Sequence, residues 1–113
     1  MNSKDETDKI LALVPVKNKE SIYREDGLID LLSPRFKIKF LQKLIPKFRD
    51  PYIHANLDEL GSATWELIDG IRNIEEIAML LEEKFSEQIH PVHQRLTLFL
   101  RQLYQNGFII FKD

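Results

Sequence analysis

The chain has no cysteine. Disulfides, thiolate zinc sites and cysteine nucleophiles are excluded together, and the expected setting is a reducing, cytoplasmic one. Glycine is scarce, with four residues in 113, and none belongs to a Gly-rich phosphate loop. No nucleophile elbow and no HExxH pair is present. The apolar run nearest the N-terminus, ILALV over 10–14, is far shorter than the ~20 residues of a membrane span. The NSKDETDK before it carries acids rather than the basic head of a signal peptide. These absences lead to the expectation of a protein that is not an enzyme, does not enter a membrane and needs no cofactor.

The chain does have an ordinary globular balance, 43% apolar and 30% charged. Its length allows one domain with a modest core. The net charge of −2 is unevenly placed. Arg35, Lys37, Lys39, Lys43, Lys47 and Arg49 lie in a stretch with no acid, whereas 57–90 holds nine acids against Arg72 and Lys84. Two solvated faces of opposite sign explain this, as does a basic arm that meets an acidic partner. His54, His90 and His93 are the three histidines. Two at i and i+3 could share a helix face, but no fourth ligand accompanies them, so no metal site is expected.

In chain order, residues 1–19 read as a flexible N-terminal arm. The tail over 1–9 is polar, and the apolar ILALVPV that follows is broken by Pro15, which leaves room for a short strand. Glu25-Asp26-Gly27 between two short apolar runs predicts a hairpin over 21–32. The segment 36–48 alternates like a strand in FKIKF, but Phe36, Phe40, Leu41, Leu44 and Ile45 also fit a helix face. A basic helical insertion at about 35–50 is favoured. PYIHAN predicts a strand, with Ile53, Ala55 and Leu57 on one face and Tyr52, His54 and Asn56 on the other.

Three helices follow. LDELGSATWELIDG has an acidic first turn, small Gly61 and Ala63 that permit close approach, and a Gly70 stop. Asn73 and Glu76 predict a capping box, with Ile74, Ile77, Ala78, Leu81 and Phe85 as the buried stripe. Pro91 is expected at the first position of the last helix. There Val92, Leu96, Phe99, Leu100 and Leu103 face the core and Asn106-Gly107 ends the helix. Phe108 to Lys112 closes the chain as a strand. This order predicts one α+β domain over 20–113 of winged-helix-like build: a small N-terminal antiparallel sheet packed on a three-helix bundle, with a short C-terminal strand.

The stretch LDELGSATWELIDGIRNIEEIAMLLEEKF resembles the middle of PqqD-like proteins, a small family named after a pyrroloquinoline quinone (PQQ) biosynthesis protein. The pattern is an LD pair, a small and a bulky residue, a DG turn and a capped EEI helix; Asn73 stands where the family often has Thr. The likeness runs over about 22–111, and the insertion is not part of it. The resemblance implies a non-enzymatic recognition element for ribosomally made, modified peptides. Such a module holds the leader of a precursor peptide as an added strand and presents it to a modifying enzyme, of radical SAM type in the founding pathway. Carried onto this chain, the implied peptide-binding residues are Tyr52, Ile53, His54 and Ala55 on the strand, with Arg95, Leu98 and Gln102 on the last helix.

The residues support such a site independently. Leu98 points nearly opposite the core stripe, beside Arg95, Gln102 and Gln105. A short strand after an insertion is a candidate sheet edge, open to strand addition. The alternatives are a winged-helix nucleic-acid binder that reads with the last helix, or a structural adaptor. The acidic body opposes the phosphate attraction that dominates nucleic-acid binding.

Overall fold

The computed structural model describes residues 3–34 and 52–113, with side chains from residue 6 onward. The insertion expected at about 35–50 lies outside the described residues.

The elements are α1 (Ser3–Leu11), β1 (Val14–Lys17), β2 (Ser21–Tyr23), β3 (Ile29–Pro34), β4 (Tyr52–Asn56), α2 (Glu59–Leu67), α3 (Ile74–Phe85), a 3-10 turn (Ser86–Ile89), α4 (Val92–Gln105) and β5 (Ile109–Lys112). The fold is α+β, as the pattern predicts. The strands form two antiparallel sheets, β2-β3-β4 and β1-β5.

The three-stranded sheet begins with the expected hairpin. Gly27 adopts φ +84°, a left-handed conformation that glycine accepts without a Cβ penalty, and Asp26 Oδ1 accepts from the Leu28 N–H at 2.9 Å. In β4, Ala55 is opposite Leu31 and Asn56 opposite Asp30. Ile29, Leu31 and Leu57 are buried, so the face predicted from Ala55 and Leu57 does meet the core. Ile53, at the far end of the same face, is 51% exposed.

The N-terminal residues depart from the expected flexible arm. Ser3–Leu11 is helical, and Leu11 and Leu13 pack on the core. Helix formers and a Lys9 in the last turn suit this helix, but tertiary packing of its apolar end completes it. The Ile74 N–H donates to the Leu13 carbonyl at 3.0 Å, which ties the end of the arm to the start of α3. β1 then pairs with β5, Pro15 opposite Phe111 and Val16 opposite Ile110. The Asn18 N–H donates to the Phe108 carbonyl. This sets the alternation, so that Val14 and Val16 turn their main chain toward β5 and Pro15 turns its away. A residue without an N–H fits there, and Pro15 is fully buried.

The helices follow their stripes. The buried residues of α3 are Ile74, Ile77, Ala78, Leu81 and Phe85. Asn73 and Glu76 form the capping box at 2.8 and 3.0 Å. Val92, Leu96, Leu100 and Leu103 of α4 are buried; Phe99 is only partly so. Two helix ends differ from expectation. Pro91 is the N-cap of α4 rather than its first helical residue, with extended backbone (ψ 115°). α2 stops at Leu67 because Ile68 is already extended (ψ 105°), and its N–H donates to the Trp65 carbonyl. Gly70 (φ +78°) lies two residues further on, in a turn where Asp69 Oδ1 accepts from the Ile71 and Arg72 N–H groups.

Candidate peptide-binding cleft

The β4 strand is the last in its sheet among the described residues. The Leu57 N–H donates to the Ile29 carbonyl at 2.9 Å. Antiparallel alternation then turns the main chain of Ala55 and Ile53 toward β3, and that of Asn56, His54 and Tyr52 to the outer side.

The other face of β4 is anchored by a buried carboxylate. Asp30 is 6% exposed. It accepts from Arg24 Nη1 at 2.8 Å and from Asn56 Nδ2 at 2.6 Å. His54 Nδ1 lies 3.1 Å from its other oxygen, where the ring N–H donates to the carboxylate. Burial pushes the Asp30 carboxyl up, but the hydrogen bonds from Arg24, His54 and Asn56 outweigh it and hold the group below its ordinary value. Arg24 also donates to the carbonyls of Ile29 and Leu57 at 3.1 and 3.0 Å. Hairpin, β3 and the end of β4 are thereby locked in one register. The His54 side chain therefore belongs to a sheet-fixing network, a role its place in the sequence does not reveal.

From Asn56 the chain passes through Leu57 into the N-terminus of α2. Asp58 caps that helix, its Oδ1 accepting from the Gly61 N–H at 2.7 Å. Asp58, Leu60, Gly61 and Thr64 form one wall of a cleft of about 140 Å³; Arg95, Leu96 and Phe99 form the opposite wall. Gly61 makes the close approach possible. A Cβ there would stand 3.1 Å from Asp58 Oδ1 and 3.4 Å from Phe99 Cζ.

Arg95, Leu98 and Gln102 are all exposed and, at i, i+3 and i+7, share one face of α4. Leu98 is 54% exposed, as its position off the core stripe predicts. Arg95 Nη1 donates to the Gln88 carbonyl at 2.6 Å, which holds the guanidinium at the mouth of the cleft. The cleft thus unites Arg95 with a Phe99 that the periodicity assigns to the core. The missed signal is that Phe99 lies at the edge of the stripe, one turn from Arg95. Asp58, Leu60 and Gly61 are also wall residues, although their sequence marks them only as a helix start.

The other two histidines bind neighbours. His90 Nε2 is 3.0 Å from Glu82 and His93 Nε2 is 3.0 Å from Glu75. Among the described residues no group of three or more His, Cys, Asp or Glu could hold a metal ion, and no helix is long and apolar enough to cross a membrane.

Antiparallel strands with the α2–α4 helices and this LD…DG…EEI pattern are those of the PqqD-like class, and comparison with family models agrees. The model described as "Coenzyme PQQ synthesis protein D (PqqD)" matches residues 53–109, half of the chain. The chain belongs to this family. No curated protein and no solved structure matches it.

Proposed function

We propose that this chain is a peptide-binding module without chemistry of its own. It takes the leader of a ribosomally made precursor as an extended segment along β4 and against the Arg95–Leu98–Gln102 face of α4. It then presents the segment to a modifying enzyme of radical SAM type, in the synthesis of PQQ or of another modified peptide. The observation that carries the reading is the continuity of surface. The outer side of β4 leads through Asn56 to the Asp58–Gly61 wall, and across the cleft lies Arg95, with the half-exposed Leu98 one turn further along the same face of α4. Family membership supports it. On this reading Tyr52 and His54 turn their main chain to the segment, Ile53 and Ala55 hold the strand to β3 from the inner side, and pockets beside Phe99 and Leu98 select side chains.

Backbone NMR of the full chain tests this, with a synthetic leader of the precursor encoded beside its gene. Shifts are expected at 52–56 and 95–102. Leu98→Asp should weaken binding about tenfold, the loss of one buried apolar contact, with the melting temperature unchanged. Leu96→Asp, a core change, should unfold the domain. Shifts confined to α3 that spare both β4 and α4 would reject the assignment.

A further inference from the structure

A second concavity lies on another flank of α4. It is larger than the cleft, about 400 Å³, and is walled by α1, the start of α3, α4 and β5. That volume falls in the range of small-ligand sites, about 300–1,000 Å³. Its floor is apolar: Ile10, Leu13, Ile74, Leu100, Tyr104 and Phe111. Tyr104 and Phe111 meet with ring centroids 5.4 Å apart, a packed aromatic wall. Ile10 is 46% and Tyr104 53% exposed, so the groove is open to solvent.

Two of the polar side chains at its rim, His93 and Thr97, are already committed. His93 is held by Glu75 at 3.0 Å. The Thr97 hydroxyl donates to the carbonyls of His93 and Gln94 at 2.7 and 3.2 Å. Arg101 also lines the groove, and its side chain makes no hydrogen bond or ion pair among the described residues. An apolar floor beside an uncommitted guanidinium has a definite complement: an apolar body ending in one negative charge. Arg suits a carboxylate especially, because its fork offers two parallel N–H donors.

We infer that this groove binds a small apolar carboxylic acid, a medium-chain or aromatic monocarboxylate, with Arg101 at the carboxylate and Tyr104 and Phe111 against the body. The site is separate from the peptide-binding cleft and stands or falls without it.

The test uses the full chain and 8-anilinonaphthalene-1-sulfonate, an apolar probe with a single anion, followed by fluorescence and displaced by decanoate or decanol. Saturable one-to-one binding is expected, with decanoate displacing the probe about fivefold better than decanol, the scale of a partly exposed ion pair. Arg101→Gln should erase that preference and leave decanol competition and melting temperature unchanged. NMR shifts with decanoate should fall at 10–13 and 97–104. Equal competition by the acid and the alcohol in the unaltered protein would overturn the assignment, as would shifts centred on Asp58–Gly61. A dimer by sedimentation that excludes the probe would overturn it too, and would make a second copy the occupant of the groove.

Discussion

A carboxylate shut away from water has to find donors, and Asp30 finds them on Arg24, His54 and Asn56. Nothing in the local sequence announces this. Asp30 sits among Leu28, Ile29, Leu31 and Leu32, where alternation marks only a strand. Its partners are six, twenty-four and twenty-six residues away; the β2–β3 hairpin brings Arg24, and only the β3–β4 register brings His54 and Asn56. Because its folded value is depressed, Asp30 contributes stability that is present above the ordinary carboxylate value of 3.8. That contribution is lost as pH falls through the lower, folded value. Asp26 and Asp69 are also depressed, the first mainly by the Leu28 N–H and the second by the Arg72 and Ile71 N–H groups. Acid sensitivity alone therefore does not isolate Asp30, whereas a difference between variants does. Asp30→Asn should be less stable than the parent at pH 7, by about 2 kcal/mol for hydrogen bonds to a buried charge. The gap should narrow as pH falls from about 5 to 3. Chemical denaturation at both pH values measures it. A gap constant with pH would show that the ionised form of Asp30 stabilises nothing.

At the scale of elements, the sequence is most legible where a local rule and the tertiary fold agree. The Asn73–Glu76 box and the Ile74–Phe85 stripe are written in consecutive residues, and the structure repeats them. The end of that same helix is not written at all. No glycine follows Phe85; Ser86 takes its place as C-cap at φ 52°, ψ −130°. It is the one positive-φ residue other than glycine among the described residues. The Ser86 N–H donates to the Glu82 carbonyl, and buried Phe85 and Ile89 on either side hold the turn in place. A side chain in that conformation stores about 1 kcal/mol of strain or more. Ser86→Gly should therefore raise stability by about 1 kcal/mol, even though glycine adds entropy to the unfolded chain. Thermal unfolding reads the change; a lower melting temperature would mean that the turn is relaxed with serine in it. The candidate site divides in the same way. Leu98 was visible because one residue off a regular stripe stands out. The Phe99–Gly61 approach was not, since neither partner breaks its own pattern.

At the scale of the molecule, the two ends of the chain close on each other. The sequence shows a broken apolar run after a polar tail and does not say what it packs on, because β-pairing between residues 14–17 and 109–112 leaves no local trace. In the structure this pairing is central. Pro15 is fully buried opposite Phe111, and Asn18 Nδ2 donates to the Gly107 carbonyl at 3.0 Å. Lys17 sets its ammonium 5.1 Å from the centre of the Trp65 ring, over one of the largest fully buried side chains. If residues 1–18 were a dispensable arm, a chain starting at Lys19 would melt as the parent does. The contacts argue otherwise. Removal would strip Pro15 from the core, expose the partly buried Leu11 and Leu13 sites, and leave β5 without its partner strand. Loss of two or three such apolar contacts costs about 3 kcal/mol or more, a large share of the roughly 5–15 kcal/mol available to a domain. The truncated chain should melt about 10 °C lower or fail to fold. A milder variant separates lost packing from lost length. Pro15→Asp keeps the chain intact and places a charge at the buried position, so it should lower the melting temperature as well, while Lys17→Gln, which removes only the cation over Trp65, should cost far less. Unchanged melting in both the truncated chain and Pro15→Asp would mean that β1 adds nothing to the stability of the domain, and that the β1–β5 sheet is an accessory to a core complete without it.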